Sequence, residues 1–111
     1  MNIISTGKKK DCLIVSVEGR MDAVSTPEFE QTLGGWIDKG ETRFVVDFAG
    51  LDYISSAGLR GILTSVKRLK AEGGQMVLTS LHGTVQEVFE ISGFSTIISI
   101  FESVDDALQK M

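Results

Sequence analysis

Arg43-Phe44-Val45-Val46-Asp47-Phe48 is the segment that most restricts the fold of this chain. Its apolar residues run almost without a break, so it predicts a strand covered on both faces rather than one with a wet side. A strand of that kind needs helices, and helical patterns stand on either side of it. Upstream, Ser25-Thr26-Pro27-Glu28 has the signature of a helix start: a hydroxyl, a proline in the first turn and a glutamate three residues after the serine. Phe29, Leu33, Trp36 and Ile37 then fall on one helical face, and Gly40 stops the helix. Downstream, Leu59 to Lys70 places Leu59, Ile62, Leu63 and Val66 inward, with Arg60, Lys67, Arg68 and Lys70 outward, until Gly73-Gly74 ends it.

The rest of the chain continues the alternation. Asn2 to Ser5 and Cys12 to Glu18 read as a hairpin around the polar turn Thr6 to Asp11, with Leu13, Val15 and Val17 on one face. Gly19 to Val24 reads as a loop. Gln75 to Thr79 is a strand, Thr84-Val85-Gln86-Glu87 a capped helix start with Val85, Val88 and Phe89 inward, and Gly93 lies past its end. Ile97 to Phe101 is the last strand, and Ser103 opens a final helix carrying Val104, Ala107, Leu108 and Met111. The predicted order is ββαβαβαβα: an α/β fold with about five strands in a mixed, mostly parallel sheet and four helices, expected to fill residues 1–111 as a single domain. A chain of 111 residues with 42% hydrophobic content suits that size and is too apolar for disorder.

Several functions are disfavoured. A net charge of −4 argues against nonspecific nucleic-acid binding. No apolar run approaches the roughly 18 residues of a membrane span, and the N-terminus lacks the pattern of a secretory signal. The single Cys12 permits no internal disulfide, as expected of a protein in a reducing cytoplasm; on its strand it reads as a small apolar residue. No cofactor motif is present: a phosphate-binding Gly-x-x-x-x-Gly-Lys-Ser/Thr is missing, and one histidine and one cysteine do not make a metal site. A phosphoacceptor role for Asp47, as in two-component receiver domains, lacks the acidic pair after the first strand and the lysine after the last.

In a parallel sheet the sites gather at the carboxyl ends of the strands. That edge should hold Asp22, the segment Asp47 to Ser56, and Ser80 to Thr84. Ser55 and Ser56 are adjacent hydroxyls where a strand gives way to a helix. They are open to three roles. As caps they contribute about 1 kcal/mol, but one cap needs one hydroxyl. As nucleophiles they need a base, for which His82 is the lone candidate, and Gly-x-Ser-x-Gly is absent. As targets of another protein's chemistry they are well placed, because a helix start accommodates a phosphate.

Gly19-Arg20-Met21-Asp22 and the run from Val45 to Arg60, with Ile54-Ser55-Ser56-Ala57-Gly58-Leu59 as its specific part, resemble STAS domains across essentially the whole chain. More narrowly they are similar to bacterial anti-anti-sigma factors, also called anti-sigma factor antagonists. The resemblance implies a signalling switch in transcription regulation with no catalytic activity of its own. The unphosphorylated form would bind an anti-sigma factor that is also a serine kinase of the histidine-kinase ATPase fold and so release the sigma factor. Phosphorylation would end that partnership and a PP2C-type phosphatase would restore it. Aligned on Gly58-Leu59, the acceptor falls at Ser56, with Ser55 as the alternative: many members have Asp immediately before the acceptor, where this chain has Ser55, and Ala57 follows. The partner surface expected from the resemblance contains Asp22, Tyr53, Ile54, Ser55, Ser56, Ala57, Gly58, Leu59 and Arg60. Two other readings stay open: a STAS scaffold or regulatory subunit of a transporter or signalling assembly, and a small serine hydrolase using Ser55 or Ser56 with His82.

Overall fold

In a computed structural model that describes residues 1–111, the order of elements is the predicted one. The strands are β1 (Asn2–Lys9), β2 (Cys12–Met21), β3 (Arg43–Ile54), β4 (Gln75–Thr79) and β5 (Ile100–Phe101), and the helices α1 (Thr26–Asp38), α2 (Ser56–Ala71), α3 (Gly83–Ser92) and α4 (Val104–Lys110). The sheet runs β1-β2-β3-β4-β5; β1 is antiparallel to β2 and every other pair is parallel. Alternation along the strands separates two cores. Leu13, Val15, Val17, Phe44, Val46 and Phe48 pack with Phe29 and Leu33 of α1, Ile62 and Val66 of α2, and Phe89 of α3. On the opposite face Cys12, Ile14, Val45 and Val77 pack under Ala107 and Leu108 of α4. Cys12 is thus a buried apolar contact, as its strand position predicts, while Trp36 is only half-buried at the rim of the main core.

Five boundaries differ from the sequence reading. The expected turn at Thr6 to Asp11 shrinks to Lys10-Asp11, both with positive φ (53° and 65°). That is the twist a two-residue hairpin requires, and a bulge between Ser5 and Gly7 absorbs the remaining polar residues into β1. Gly19 to Met21 belong to β2 rather than to a loop, and β3 runs on past Phe48 to Ile54. The end of β2 pairs with the β3 extension, from Glu18 with Gly50 to Met21 with Ile54, and two register shifts interrupt the ladder after Ser16 and after Gly19. Gly50 permits one of these: a Cβ there would lie 2.7 Å from Glu18 Cγ. The last strand is two residues, not five. Ile97 and Ile98 instead turn back to the carbonyl of Phe94, which anchors buried Ile98 in the core. Finally, α3 is preceded by His82 rather than capped by Thr84.

Candidate functional site

The long pairing of β2 with β3 brings the β2–α1 loop alongside the start of α2. The rung that closes it is a hydrogen bond from the Ser55 N–H to the Met21 carbonyl, 2.9 Å. Asp22 follows directly and organises its own loop. Its carboxylate accepts the backbone N–H groups of Val24 and Ser25, each at 3.0 Å. These bonds, led by that from Ser25, hold the Asp22 carboxyl below its ordinary pKa, with a smaller contribution from the nearby Arg20 charge. Ser25 does not cap α1 through its hydroxyl, contrary to the capping pattern read from the sequence. Its Oγ instead donates to the Arg20 carbonyl (2.7 Å) and accepts the Asp22 N–H (2.9 Å). The Asp22 carboxylate, three residues earlier, takes the Ser25 N–H and holds this local turn in place of a serine cap.

The two adjacent serines separate clearly. Ser55 is the cap of α2: its backbone is extended and its Oγ accepts the Gly58 N–H at 3.2 Å. Ser56 is the first helical residue, its side chain exposed and tied down by no hydrogen bond. Two glycines let α2 settle here. A Cβ at Gly58 would stand 2.7 Å from the Met21 carbonyl and 2.8 Å from Ile54 Cγ1. One at Gly61 would stand 2.2 Å from Thr26 Cγ2 and 2.8 Å from Glu30 Oε1. Gly58 therefore presses the helix start against β2, and Gly61 presses its second turn against α1.

The expected surface residues divide by exposure. Tyr53, Ser56 and Arg60 are exposed, Asp22, Ser55 and Ala57 are half-buried, and Ile54, Gly58 and Leu59 are buried supports beneath them. The sequence reading missed Val24, whose side chain is 89% exposed in the loop that Asp22 fixes, and Arg20, whose guanidinium lies 4.2 Å from the centroid of the Tyr53 ring. A shallow groove of about 370 Å³ separates the first turns of α1 and α2, with Ala23, Thr26, Glu30, Ala57 and Arg60 among its walls. Of the basic residues on the outer face of α2, Arg68 is spoken for: it pairs with Asp38 of α1 and with Glu72.

No hydrogen bond joins a basic side chain to either serine. The Nε2 of His82 is 2.8 Å from the Ala49 carbonyl, so the ring links the β4–α3 loop to β3. Asp47 is used locally, accepting the Ala49 N–H at 2.9 Å. No group of three or more His, Cys, Asp or Glu side chains is arranged to hold a metal ion, and no helix is long and apolar enough to cross a membrane. What the edge offers is an exposed hydroxyl, an ionised carboxylate and an exposed apolar residue on a rigid frame.

Comparison with known proteins bears on this frame. The STAS domain family model matches residues 4–107. A protein of Bordetella bronchiseptica named as an anti-sigma factor antagonist, BtrV, is 43% identical over 95 residues, which span 86% of this chain and 82% of that protein. Among solved structures, an anti-sigma factor antagonist from Mycobacterium paratuberculosis superimposes with a TM-score of 0.86 at 22% identity, covering 98% of this chain and 92% of that one. SpoIIAA of Bacillus, in its phosphorylated form, superimposes with a TM-score of 0.74 at 18% identity over 98% of each chain.

Proposed function

The chain belongs to the STAS domain family, and from that premise we propose that it is an anti-sigma factor antagonist switched by phosphorylation of Ser56. The anti-sigma factor antagonists of this family are regulators without enzymatic activity of their own. In the proposed cycle the unphosphorylated edge binds an anti-sigma factor and so frees a sigma factor. A serine kinase of the histidine-kinase ATPase fold, the anti-sigma factor itself, transfers the γ-phosphoryl group of ATP to Ser56 Oγ. The hydroxyl proton is lost, ADP leaves, and the partners separate. A PP2C-type phosphatase hydrolyses the phosphoserine and resets the cycle.

The observation that carries this reading is the division of labour between the two serines. Ser55 supplies the cap, so the hydroxyl of Ser56 is surplus to the fold, exposed, and at the same edge as ionised Asp22. A phosphate adds about −1.5 to −2 charge. The helix start can bear it without unfolding, while an acidic or desolvated partner surface cannot. A loss of about 3 kcal/mol at the centre of an interface is roughly two decades of affinity. His82 bonds to the Ala49 carbonyl and to neither serine, which disfavours a hydrolase reading.

The test is incubation with the cognate serine kinase and ATP, followed by intact mass. Wild type and Ser55→Ala should each gain one phosphate and Ser56→Ala none. An unmodified wild type, or full phosphorylation of Ser56→Ala, would overturn the assignment.

A further inference from the structure

Ser56 and Arg60 stand one helical turn apart at the start of α2, and both are exposed. Cα–Cβ bonds in a helix tilt toward its N-terminus, so a long side chain at position 60 can reach back over the turn that carries position 56. The direction is also the favourable one, with the anion N-terminal and the cation four residues later. No acidic residue occupies the first turn of α2, and Arg60 enters none of the molecule's ion pairs, unlike Arg68 with Asp38 and Glu72. The other charges around the spot are Asp22 on the neighbouring loop and Glu30 across the groove from Arg60, while Arg20 is occupied with the Tyr53 ring. The same geometry does nothing for Ser55, whose neighbour four residues on is the buried Leu59.

We propose that Arg60 is the counter-ion of a phosphate on Ser56. The proposal rests on the reading of Ser56 as the acceptor and adds a second element to the switch. Phosphorylation places a dianion on the docking edge and at the same time withdraws from it the one arginine of the α2 outer face that is free of ion pairs. Guanidinium suits this role because its planar donors meet two phosphate oxygens at once.

The experiment uses the chain with phosphoserine installed at position 56 during translation, so no kinase is needed. The second ionisation of the phosphate is followed by ³¹P NMR through the region near pH 6. With Arg60 present the dianion is favoured, and the midpoint should lie about 0.3 unit lower than in Arg60→Gln. Arg60→Lys should recover part of that shift, and Lys67→Gln should leave the wild-type midpoint in place. Added salt should shrink the difference. Equal midpoints for wild type and Arg60→Gln would overturn the role of Arg60 even if Ser56 is phosphorylated. A kinase assay that leaves Ser56 unmodified would instead reject the acceptor assignment on which the proposal rests.

Discussion

The Ser55 N–H bonds to the Met21 carbonyl at 2.9 Å, and this contact sets two loops from distant parts of the sequence edge to edge. Asp22 begins where β2 stops and Ser56 begins where the cap stops. The position of the acidic residue relative to the exposed hydroxyl is therefore fixed by strand pairing rather than by loop conformation. Substitutions at this edge should act on binding and on folding separately.

The serine pair should show that separation most directly. Ser55→Ala removes a cap bond to Gly58 and should cost about 1 kcal/mol in denaturant unfolding. Ser56→Ala removes an exposed hydroxyl with no partner and should stay within about 0.5 kcal/mol of wild type. The reverse order would mean that Ser56 is the cap.

Ser56→Asp should weaken anti-sigma factor binding by about two decades, read by calorimetric titration, with a thermal midpoint close to wild type. A negative charge at a helix start is compatible with the fold. A variant that unfolds, or that binds unchanged, contradicts a switch acting through local charge.

Gly61→Ala tests the seat of α2. On an exposed helix the change would stabilise by up to about 1 kcal/mol through propensity. Here the new methyl would fall 2.2 Å from Thr26 Cγ2, so the helices must part and the net effect should be a loss of about 1–3 kcal/mol in urea unfolding. A stabilised Gly61→Ala would show that α1 and α2 are not closely packed at this turn.

Asp22 should contribute a pH-dependent share of stability. Its carboxyl is held below the ordinary value in the folded chain, chiefly by the Ser25 N–H. The contribution is therefore present above the unfolded pKa of about 3.9 and is lost as pH falls through the lower folded value. The stability difference between wild type and Asp22→Asn should narrow between neutral pH and pH 3, measured by urea midpoints. A difference independent of pH would assign the effect to shape rather than charge.

Much of this was legible in the chain. Apolar periodicity located every helix, and the adjacent serines marked the edge because composition and spacing both change there. What escaped the sequence reading depends on contacts between distant residues. Polar residues such as Arg20, Asp52 and Tyr53 look like loop, yet they extend β2 and β3 because Met21, Leu51 and Ile54 between them are drawn into the core. Ile97 to Ser99 look like strand for the opposite reason: a β-branched apolar run was captured by a tight turn. Gly61 reads as an ordinary helical glycine until Thr26 is placed against it. Ser25 fits a capping pattern that Asp22 pre-empts, and only the loop geometry shows which acceptor wins.

The order β1-β2-β3-β4-β5 advances across the sheet without ever turning back. Nucleotide-binding α/β folds owe their crevice to a reversal, where one crossover passes above the sheet and the next below, leaving a gap between two strand ends. Here the three crossovers all pass on the side of α1, α2 and α3, so no such gap opens. The carboxyl edge is consequently a rim and not a mouth. It can be read by another surface laid against it, and it can be marked by a group attached to it.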